Sequence, residues 1–185
     1  MRYLKGFASA AVAAVAMLAF GAGSASAAEL YSTGATVKAG TPVHITLEGS
    51  LVTSTTDEKT LIGTCTSHTL EGDTNSYTAG AVTVSGTKLT WGGCSVTTDT
   101  LTPGSLSIAA TGLVTGAGSV WTTNFGGVSC RYGTGGGTSL GTLTTGKLVV
   151  NAVINEQEPK SFICPDTTKM VANYTVTSPH DLTVE

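Results

Sequence analysis

Charged side chains are scarce in this sequence. They make up 11% of the 185 residues, against about a quarter in an average soluble domain. The nine basic residues form no patch, and twelve acidic residues outnumber them. Because nucleic acids are bound through clustered lysines and arginines, we expect no nucleic acid partner. Threonine, serine, glycine and valine are abundant instead, which is typical of exported β-proteins and of adhesive or fibrous ones.

Hydrophobic runs of membrane-spanning length are also missing. The longest apolar run, Ala10 to Phe20, is too short to cross a bilayer comfortably. Two basic residues precede it and the small residues Ala25 to Ala27 follow it, which is the order of regions in an export signal. We therefore predict a signal peptide at residues 1–27, cleaved near Ala27, and a single secreted β-domain at residues 28–185. Without the signal peptide, seven basic residues remain against twelve acidic ones, a net charge of −5.

Membrane anchors are not expected either. No cysteine directly follows the apolar run, which argues against a lipid anchor, and no hydrophobic tail at the C-terminus suggests a transmembrane one. The predicted location is therefore extracellular or in the cell envelope, and the sequence leaves open which of the two.

Closely spaced cysteine pairs are absent, which argues against a zinc or redox site. The four cysteines are Cys65, Cys94, Cys130 and Cys164. An even number behind an export signal predicts two disulfides. We favour pairing Cys65 with Cys94 and Cys130 with Cys164, because each bond would close a loop of about thirty residues and contribute ~3–4 kcal/mol. Interlocked pairings stay open.

The stretch Ala81 to Cys94 is the centre of the predicted fold. Its two valines point to one face of a strand, while Leu89 and Trp91 fall on the opposite parity. One extra bulged residue near Ser85-Gly86 would restore a common inward face. We predict one long bent strand that ends in a cystine.

Short runs rich in valine and threonine recur along the whole chain, separated by turn signals. This spacing predicts an all-β fold, an antiparallel β-sandwich or partly closed barrel of about ten to twelve short strands, stapled by disulfides. Residues 50–60 and Glu71 to Asn75 are predicted to be polar turns. The other predicted strands are Glu29–Lys38, Val43–Gly49, Leu61–Leu70, Cys94–Leu101, Leu106–Leu113, Val120–Phe125, Val128–Tyr132, Ser139–Thr144, Leu148–Ile154, Phe162–Cys164, Met170–Thr177 and an edge strand at Leu182–Val184.

Two short motifs resemble enzyme signatures. Gly137 to Gly141 has the spacing of a nucleophile elbow around Ser139, but that elbow needs a parallel strand before it and a helix after it. Gly141 to Lys147 has the spacing of a phosphate loop, but Leu148 stands where a serine or threonine would hold magnesium. We therefore predict a protein that is not an enzyme, with a hydrolase using Ser139 or a carboxylate pair as the weakest alternative.

Histidines and carboxylates predict no metal site or cofactor. His44, His68 and His180 contain no pair at metal-ligand spacing, and we interpret all three as solvent-facing. The loop carboxylates could form a glycosidase pair or a calcium site. The predicted turn at Glu71 to Asn75 is the best calcium candidate, although it lacks the full ligand set of a known loop.

Aromatic side chains provide the candidate binding residues. Trp91 lies beside a predicted cystine, so we interpret it as a core residue. Trp121 and Tyr132 could stack on sugar rings if they are exposed, and they are the predicted ligand-binding residues.

Several segments together resemble a group of uncharacterised exported four-cysteine proteins of actinomycete bacteria. More distantly, the composition is similar to secreted proteins that are named as activators of alkane oxidation. The resemblance implies an exported β-domain and supplies no catalytic residue. The segments that carry it are Leu89–Cys94, Val128–Tyr132, Ile163–Pro165 and Tyr174–Pro179.

The predicted function is that of a secreted or cell-surface, non-enzymatic β-domain with a structural or partner-binding role. The alternative is a carbohydrate- or lipid-binding module that uses exposed aromatic residues. The partner is unknown, with a cell-envelope component, a glycan or a lipid as the classes considered.

Overall fold

The computed structural model describes residues 29–75 and 80–184, and the predicted signal peptide at residues 1–27 lies outside them. In these ranges the chain forms β-strands and no helix. The fifteen strands are β1 (Leu30–Ser32), β2 (Ala35–Thr36), β3 (Pro42–Thr55), β4 (Leu61–Cys65), β5 (Ser67–Thr74), β6 (Ala81–Gly92), β7 (Thr98–Thr102), β8 (Ser105–Ala109), β9 (Leu113–Ala117), β10 (Val120–Phe125), β11 (Val128–Gly133), β12 (Thr138–Thr144), β13 (Lys147–Glu156), β14 (Thr167–Ser178) and β15 (Thr183–Val184).

Eight of these strands close into an antiparallel barrel in the order β12-β9-β8-β6-β5-β3-β14-β13, with β13 pairing back onto β12. Strands β3, β13 and β14 are longer than their neighbours and extend beyond the barrel. Their far halves carry β4 on one side and β11, β10 and β7 on the other. Strands β15, β1 and β2 form a second, three-stranded sheet in that order. The predicted all-β antiparallel fold is confirmed, and the sheet is a closed barrel with additional strands.

More strands form than the sequence predicts, because Glu29–Lys38 and Leu61–Leu70 each form two strands and because β9 begins where the predicted strand Leu106–Leu113 ends. The predicted strand Leu61–Leu70 is divided at Thr66 into β4 and β5, and Leu106–Leu113 ends at a turn before β9 begins. Gly112 has a φ of 78° in that turn, a backbone conformation that glycine adopts without strain. The break at Thr66 is a bend, since β4 and β5 both pair with β3, whereas β8 and β9 form a hairpin around Gly112.

Strands β13 and β14 show the inward alternation that the sequence predicts. On β14, Met170, Ala172, Tyr174 and Val176 are all buried. The alternating residues of β13 from Leu148 to Ile154 are buried as well. The two strands pair continuously along nine residues each, so they bring two apolar faces into the interior side by side.

Strand β6 contains the predicted bulge. Its pairing with β5 skips Thr87, because Gly86 and Lys88 face consecutive residues of β5. The two valines before the bulge are buried, and Leu89 and Trp91 after it line the barrel interior. The extra residue follows Ser85-Gly86 and restores a common inward face, as predicted.

Three predicted local structures are wrong. Residues 50–55 continue β3 instead of forming a turn, and Glu71 to Thr74 continue β5. Polar side chains are tolerated in both segments because a strand points alternate side chains outward. The neighbouring strands satisfy the backbone hydrogen bonds of both segments. The predicted strand at Phe162–Cys164 is a turn in which Phe162 is 99% exposed.

Both predicted disulfides are present. Cys65 at the end of β4 is bonded to Cys94 just after β6, and Cys130 on β11 is bonded to Cys164 in the loop before β14. The first bond lies where the backbone N–H of Ser95 donates to the oxygen of Thr64 at 2.8 Å, and the second ties β11 to the loop before β14. Such bonds persist in an oxidising, extracellular setting.

Within residues 29–75 and 80–184, no helix is long and apolar enough to span a membrane.

Candidate functional site

The interior contains a partly open cavity of about 70 Å³, lined by barrel strands and by β10. Its wall is built mainly from aliphatic side chains of strands on different sides of the barrel, among them Ile45 on β3, Leu140 on β12 and Val150 on β13. Alternate residues of these strands point inward, so the strands present a mostly apolar surface. The polar and aromatic lining residues are His68, Ser119, Thr134, Tyr174, Trp91 and Trp121.

His68 is a buried polar residue in this wall. It lies on β5, is 7% exposed and pairs across the sheet with Trp91 on β6. Its Nδ1 atom lies 2.9 Å from the hydroxyl oxygen of Tyr174 on β14. Its Nε2 atom is buried and has no hydrogen-bond partner in the structure. Buried polar atoms without a partner are few in native proteins, so this nitrogen requires an explanation.

The prediction that the histidines face solvent is wrong for His68, while His44 and His180 are exposed. The cause is the break between β4 and β5. Cys65 points inward before the break at Thr66, and His68 points inward after it, so the alternation changes parity at this position. A single continuous strand would have placed His68 on the outer face.

Burial keeps His68 and Tyr174 uncharged at neutral pH. Desolvation lowers the pKa of His68 from 6.5 to about 4. Desolvation also raises the pKa of Tyr174 above its ordinary value of 10.0. Burial is the whole cause of both changes, and no charged group contributes to either. The pair is therefore a neutral imidazole and a neutral phenol, which interact with a ligand through hydrogen bonds instead of ion pairing.

Two indoles continue the aromatic wall beside His68. The ring centroid of Trp91 lies 4.1 Å from that of His68 and 5.7 Å from that of Trp121. Trp121 is 4% exposed and lines the cavity. These contacts hold three aromatic rings in fixed positions on one side of the cavity.

The predicted surface platform of Trp121 and Tyr132 is not formed, because both residues are buried. They are directly paired across β10 and β11, so their side chains share the inward face. Tyr132 is 2% exposed, and its hydroxyl donates to the backbone oxygen of Pro165 at 3.2 Å. Burial and the nearby Glu156 raise the pKa of Tyr132 to about 12. Neither ring is available for stacking on a sugar at the surface, and Trp121 can contact a ligand only from inside the barrel.

A seam between β6 and β7 lies next to the cavity. β7 pairs with β10 on one edge, and its other edge has no ladder partner in the described part of the chain. Thr100 on β7 crosses this seam: its hydroxyl donates to the backbone oxygen of Leu89 and accepts a hydrogen bond from Trp91 Nε1, both at 2.9 Å. The rim of the cavity is formed by lining residues that are only partly buried, namely Leu70, Leu89 and Trp91.

No family model, curated protein or solved structure matches this chain. The cavity is therefore the observation from which a function can be inferred. Sequence reasoning placed Tyr174 inward but did not connect it to His68, which is 106 residues away. Predicting the inward orientation of His68 would have required a turn signal at Thr66 in the sequence.

The Gly137–Gly141 motif is part of a strand. Ser139 lies exposed on β12, whose neighbours β9 and β13 are both antiparallel to it. No hydrogen bond joins Ser139 to a histidine among the described residues. A Cβ atom at Gly141 would lie 1.8 Å from the backbone oxygen of Val149, so glycine is required there by close strand packing. The phosphate-loop motif that begins at Gly141 is likewise the β12–β13 hairpin.

The calcium candidate at Glu71 to Asn75 is also strand structure. The side-chain amide of Asn75 donates to the hydroxyls of Thr83 and Ser85 on β6, at 3.2 and 2.8 Å. Glu71 forms an ion pair with Lys88 at 3.9 Å. Among the described residues, no three histidine, cysteine, aspartate or glutamate side chains come together as a metal site.

Proposed function

We propose that the protein is an exported, non-enzymatic β-barrel domain that binds a small, mainly apolar molecule in its interior. The observation that carries this proposal is the apolar cavity lined by His68, whose buried Nε2 atom has no hydrogen-bond partner among the described residues. Leaving such an atom buried without a partner costs about 1–3 kcal/mol. A core selected for stability alone would place an aliphatic side chain at this position, whereas a binding site uses the polar atom to orient a ligand.

The size of the cavity limits the part of the ligand that it can enclose. A volume of about 70 Å³ is several times the ~10–15 Å³ that a single water molecule requires. It is about half the ~150 Å³ of a cavity that takes up benzene. The enclosed part of the ligand therefore has only a few non-hydrogen atoms. A longer apolar chain would leave the cavity at the rim formed by Leu70 and Leu89.

A small apolar ligand fits this chain better than a glycan. Glycans are bound by exposed aromatic faces, and Trp121 and Tyr132 are buried. The cavity wall also has few polar groups, whereas a sugar needs many hydrogen-bond partners. Within the carbohydrate- or lipid-binding alternative that the sequence suggests, the structure therefore favours a lipid-like molecule.

Export and the absence of catalysis are supported by separate observations. The two disulfides fit an oxidising compartment, and the basic, apolar and small-residue order of residues 1–27 is that of a signal peptide. The likeness to exported actinomycete proteins agrees with this. Ser139 has no histidine partner, and its motif lies in a strand, which supports a binding role over a hydrolase.

The proposal is tested by nuclear magnetic resonance titration of the disulfide-bonded protein with two probes. The first probe is methyl butyl ketone, and the second is its alkene analogue, in which =CH2 replaces the carbonyl oxygen. We expect saturable shifts of the amides on β5, β6 and β13 with at least one probe.

A matched pair of variants locates the binding. Val150→Phe fills the cavity from β13, and Val149→Phe adds the same ring on the outer face of the same strand, where Val149 is 48% exposed. We expect Val150→Phe to abolish the shifts and Val149→Phe to retain them. Absence of saturable shifts with both probes, or equal binding by the two variants, would refute interior binding.

A further inference from the structure

We infer that His68 presents an Nε2–H donor to the cavity, and that the ligand is a neutral molecule with a hydrogen-bond acceptor oxygen, such as a ketone, ester or ether. This inference rests on the proposed interior binding and specifies the chemical class of the ligand. It is carried by the hydrogen bond between Tyr174 and His68 and by the make-up of the cavity wall.

The protonated nitrogen follows from counting hydrogen-bond partners. A neutral imidazole carries one proton, on either Nδ1 or Nε2. If Nδ1 carried it, the hydroxyl of Tyr174 would accept that hydrogen bond. Its own hydrogen would then lack an acceptor among the described residues, and Nε2 of His68 would be a second unpartnered atom.

The other tautomer leaves fewer buried groups without a partner. When the hydroxyl of Tyr174 donates to Nδ1 of His68, both of these atoms are satisfied by one hydrogen bond of 2.9 Å. Of this pair, only the Nε2–H group is left without a partner among the described residues, and it belongs to a residue that lines the cavity. Because each unpartnered buried group is costly, this arrangement is the more stable one. His68 is then a hydrogen-bond donor to whatever occupies the cavity.

The wall determines that the acceptor is neutral. Among the described residues, no lysine, arginine or carboxylate lines the cavity. A ligand carboxylate would therefore be buried without a counter-charge, at a much higher cost than a neutral oxygen. An alcohol would bring a hydroxyl hydrogen that needs an acceptor of its own, and the two aliphatic hydroxyls in the wall are already engaged, that of Ser119 with the backbone oxygen of Pro103 and that of Thr134 with the backbone N–H of Ser119. A carbonyl or ether oxygen needs only the donor that His68 supplies.

A water molecule matches this position less well. Buried waters usually form about three hydrogen bonds to polar groups that would otherwise lack partners. The buried side-chain nitrogen and oxygen atoms without a partner in the described ranges are His68 Nε2 and Arg131 Nε, and Arg131 does not line the cavity. One strong hydrogen bond with apolar contacts around it is instead the pattern that a small ketone or ester requires.

The first experiment determines the tautomer. Long-range ¹⁵N–¹H spectra of the labelled protein at neutral pH distinguish a protonated ring nitrogen from an unprotonated one. We expect the proton of His68 on Nε2, and we expect Tyr174→Phe to remove this preference because Nδ1 then loses its donor. A proton on Nδ1 in the unaltered protein would overturn the inference.

The second experiment measures selectivity with the same ketone and alkene. Hydrophobicity favours the alkene in any apolar cavity. We therefore determine the ketone-to-alkene ratio of affinities in the unaltered protein and in His68→Phe, and divide the first ratio by the second. We expect this quotient to favour the ketone by about fivefold, the value of one neutral hydrogen bond. Val149→Phe should leave the ratio unchanged.

The outcomes separate the two proposals. If both probes bind in the cavity and the ratio is the same in His68→Phe, interior binding stands and the acceptor preference is wrong. If neither probe binds, interior binding itself is wrong, whatever the tautomer. Tighter binding of butyrate than of the ketone at pH 7 would overturn the choice of a neutral acceptor.

Discussion

Acidification should destabilise this protein through His68. The pKa of this residue is about 4 in the folded chain, whereas an unfolded histidine has a pKa of about 6.5. As the pH falls through this window, the unfolded state binds a proton that the folded state excludes. The stabilisation is therefore complete above pH 6.5, is lost progressively as the pH falls, and changes no further below pH 4.

The magnitude follows from the width of that window. Each pH unit within it reduces the free energy of unfolding by about 1.4 kcal/mol for one proton. The loss is about 2 kcal/mol at pH 5 and approaches 3 kcal/mol at pH 4. Two carboxylates are shifted away from this window, since hydrogen bonds from Lys147 and Thr55 lower the pKa values of Glu48 and Asp57 from 4.5 and 3.8 respectively. Measurements between pH 7 and pH 5 therefore report mainly on His68.

The assay is urea unfolding of the oxidised protein at pH 7, 6 and 5, followed by tryptophan fluorescence. We expect the free energy of unfolding to decrease by about 2 kcal/mol across this range and His68→Phe to remove most of the decrease. His44→Phe, which replaces an exposed histidine, should keep it. An equal decrease in His68→Phe and the unaltered protein would refute the assignment of this pH dependence to His68.

Three further changes test the packing. Replacing both Cys130 and Cys164 by alanine opens a loop with a sequence separation of 34. We expect the free energy of unfolding in urea to decrease by about 3–4 kcal/mol. An unchanged midpoint would contradict this expectation. Thr100→Val removes the acceptor of a tryptophan N–H, so we expect a loss of about 1–3 kcal/mol and altered tryptophan fluorescence at the seam. Gly141→Ala forces a Cβ atom to within 1.8 Å of a backbone oxygen and should lower the melting temperature strongly, whereas Gly136→Ala, with open space around it, should not.

Strand periodicity predicted the parts of the fold where a strand runs without interruption. The inward faces of β13 and β14 and the bulge of β6 follow from alternation alone, because one buried face fixes the register. The disulfide pairing followed from cysteine number and loop length. Residues 50–55 were missed because strand pairing with β14 overrides their polar composition, and such pairing is not visible in a local pattern.

The candidate site was harder to predict than the fold. The parity of His68 depends on a break at Thr66 that leaves no glycine or proline signal, and its partner Tyr174 is distant in sequence. Trp121 and Tyr132 were chosen on the assumption of exposure, whereas the pairing of β10 with β11 places both rings on the buried face of the sheet. A binding site in the interior of a barrel depends on closure, which local sequence does not encode.

The Thr100 seam has a consequence for the rate at which molecules exchange with the interior. Elsewhere in this sheet, separating two neighbouring strands breaks a ladder of backbone hydrogen bonds, but among the described residues no ladder joins β6 to β7, and the hydroxyl of Thr100 bridges them. Local opening at this position therefore requires far less free energy than global unfolding. The chain can keep a slow, cooperative unfolding transition and still exchange its contents quickly.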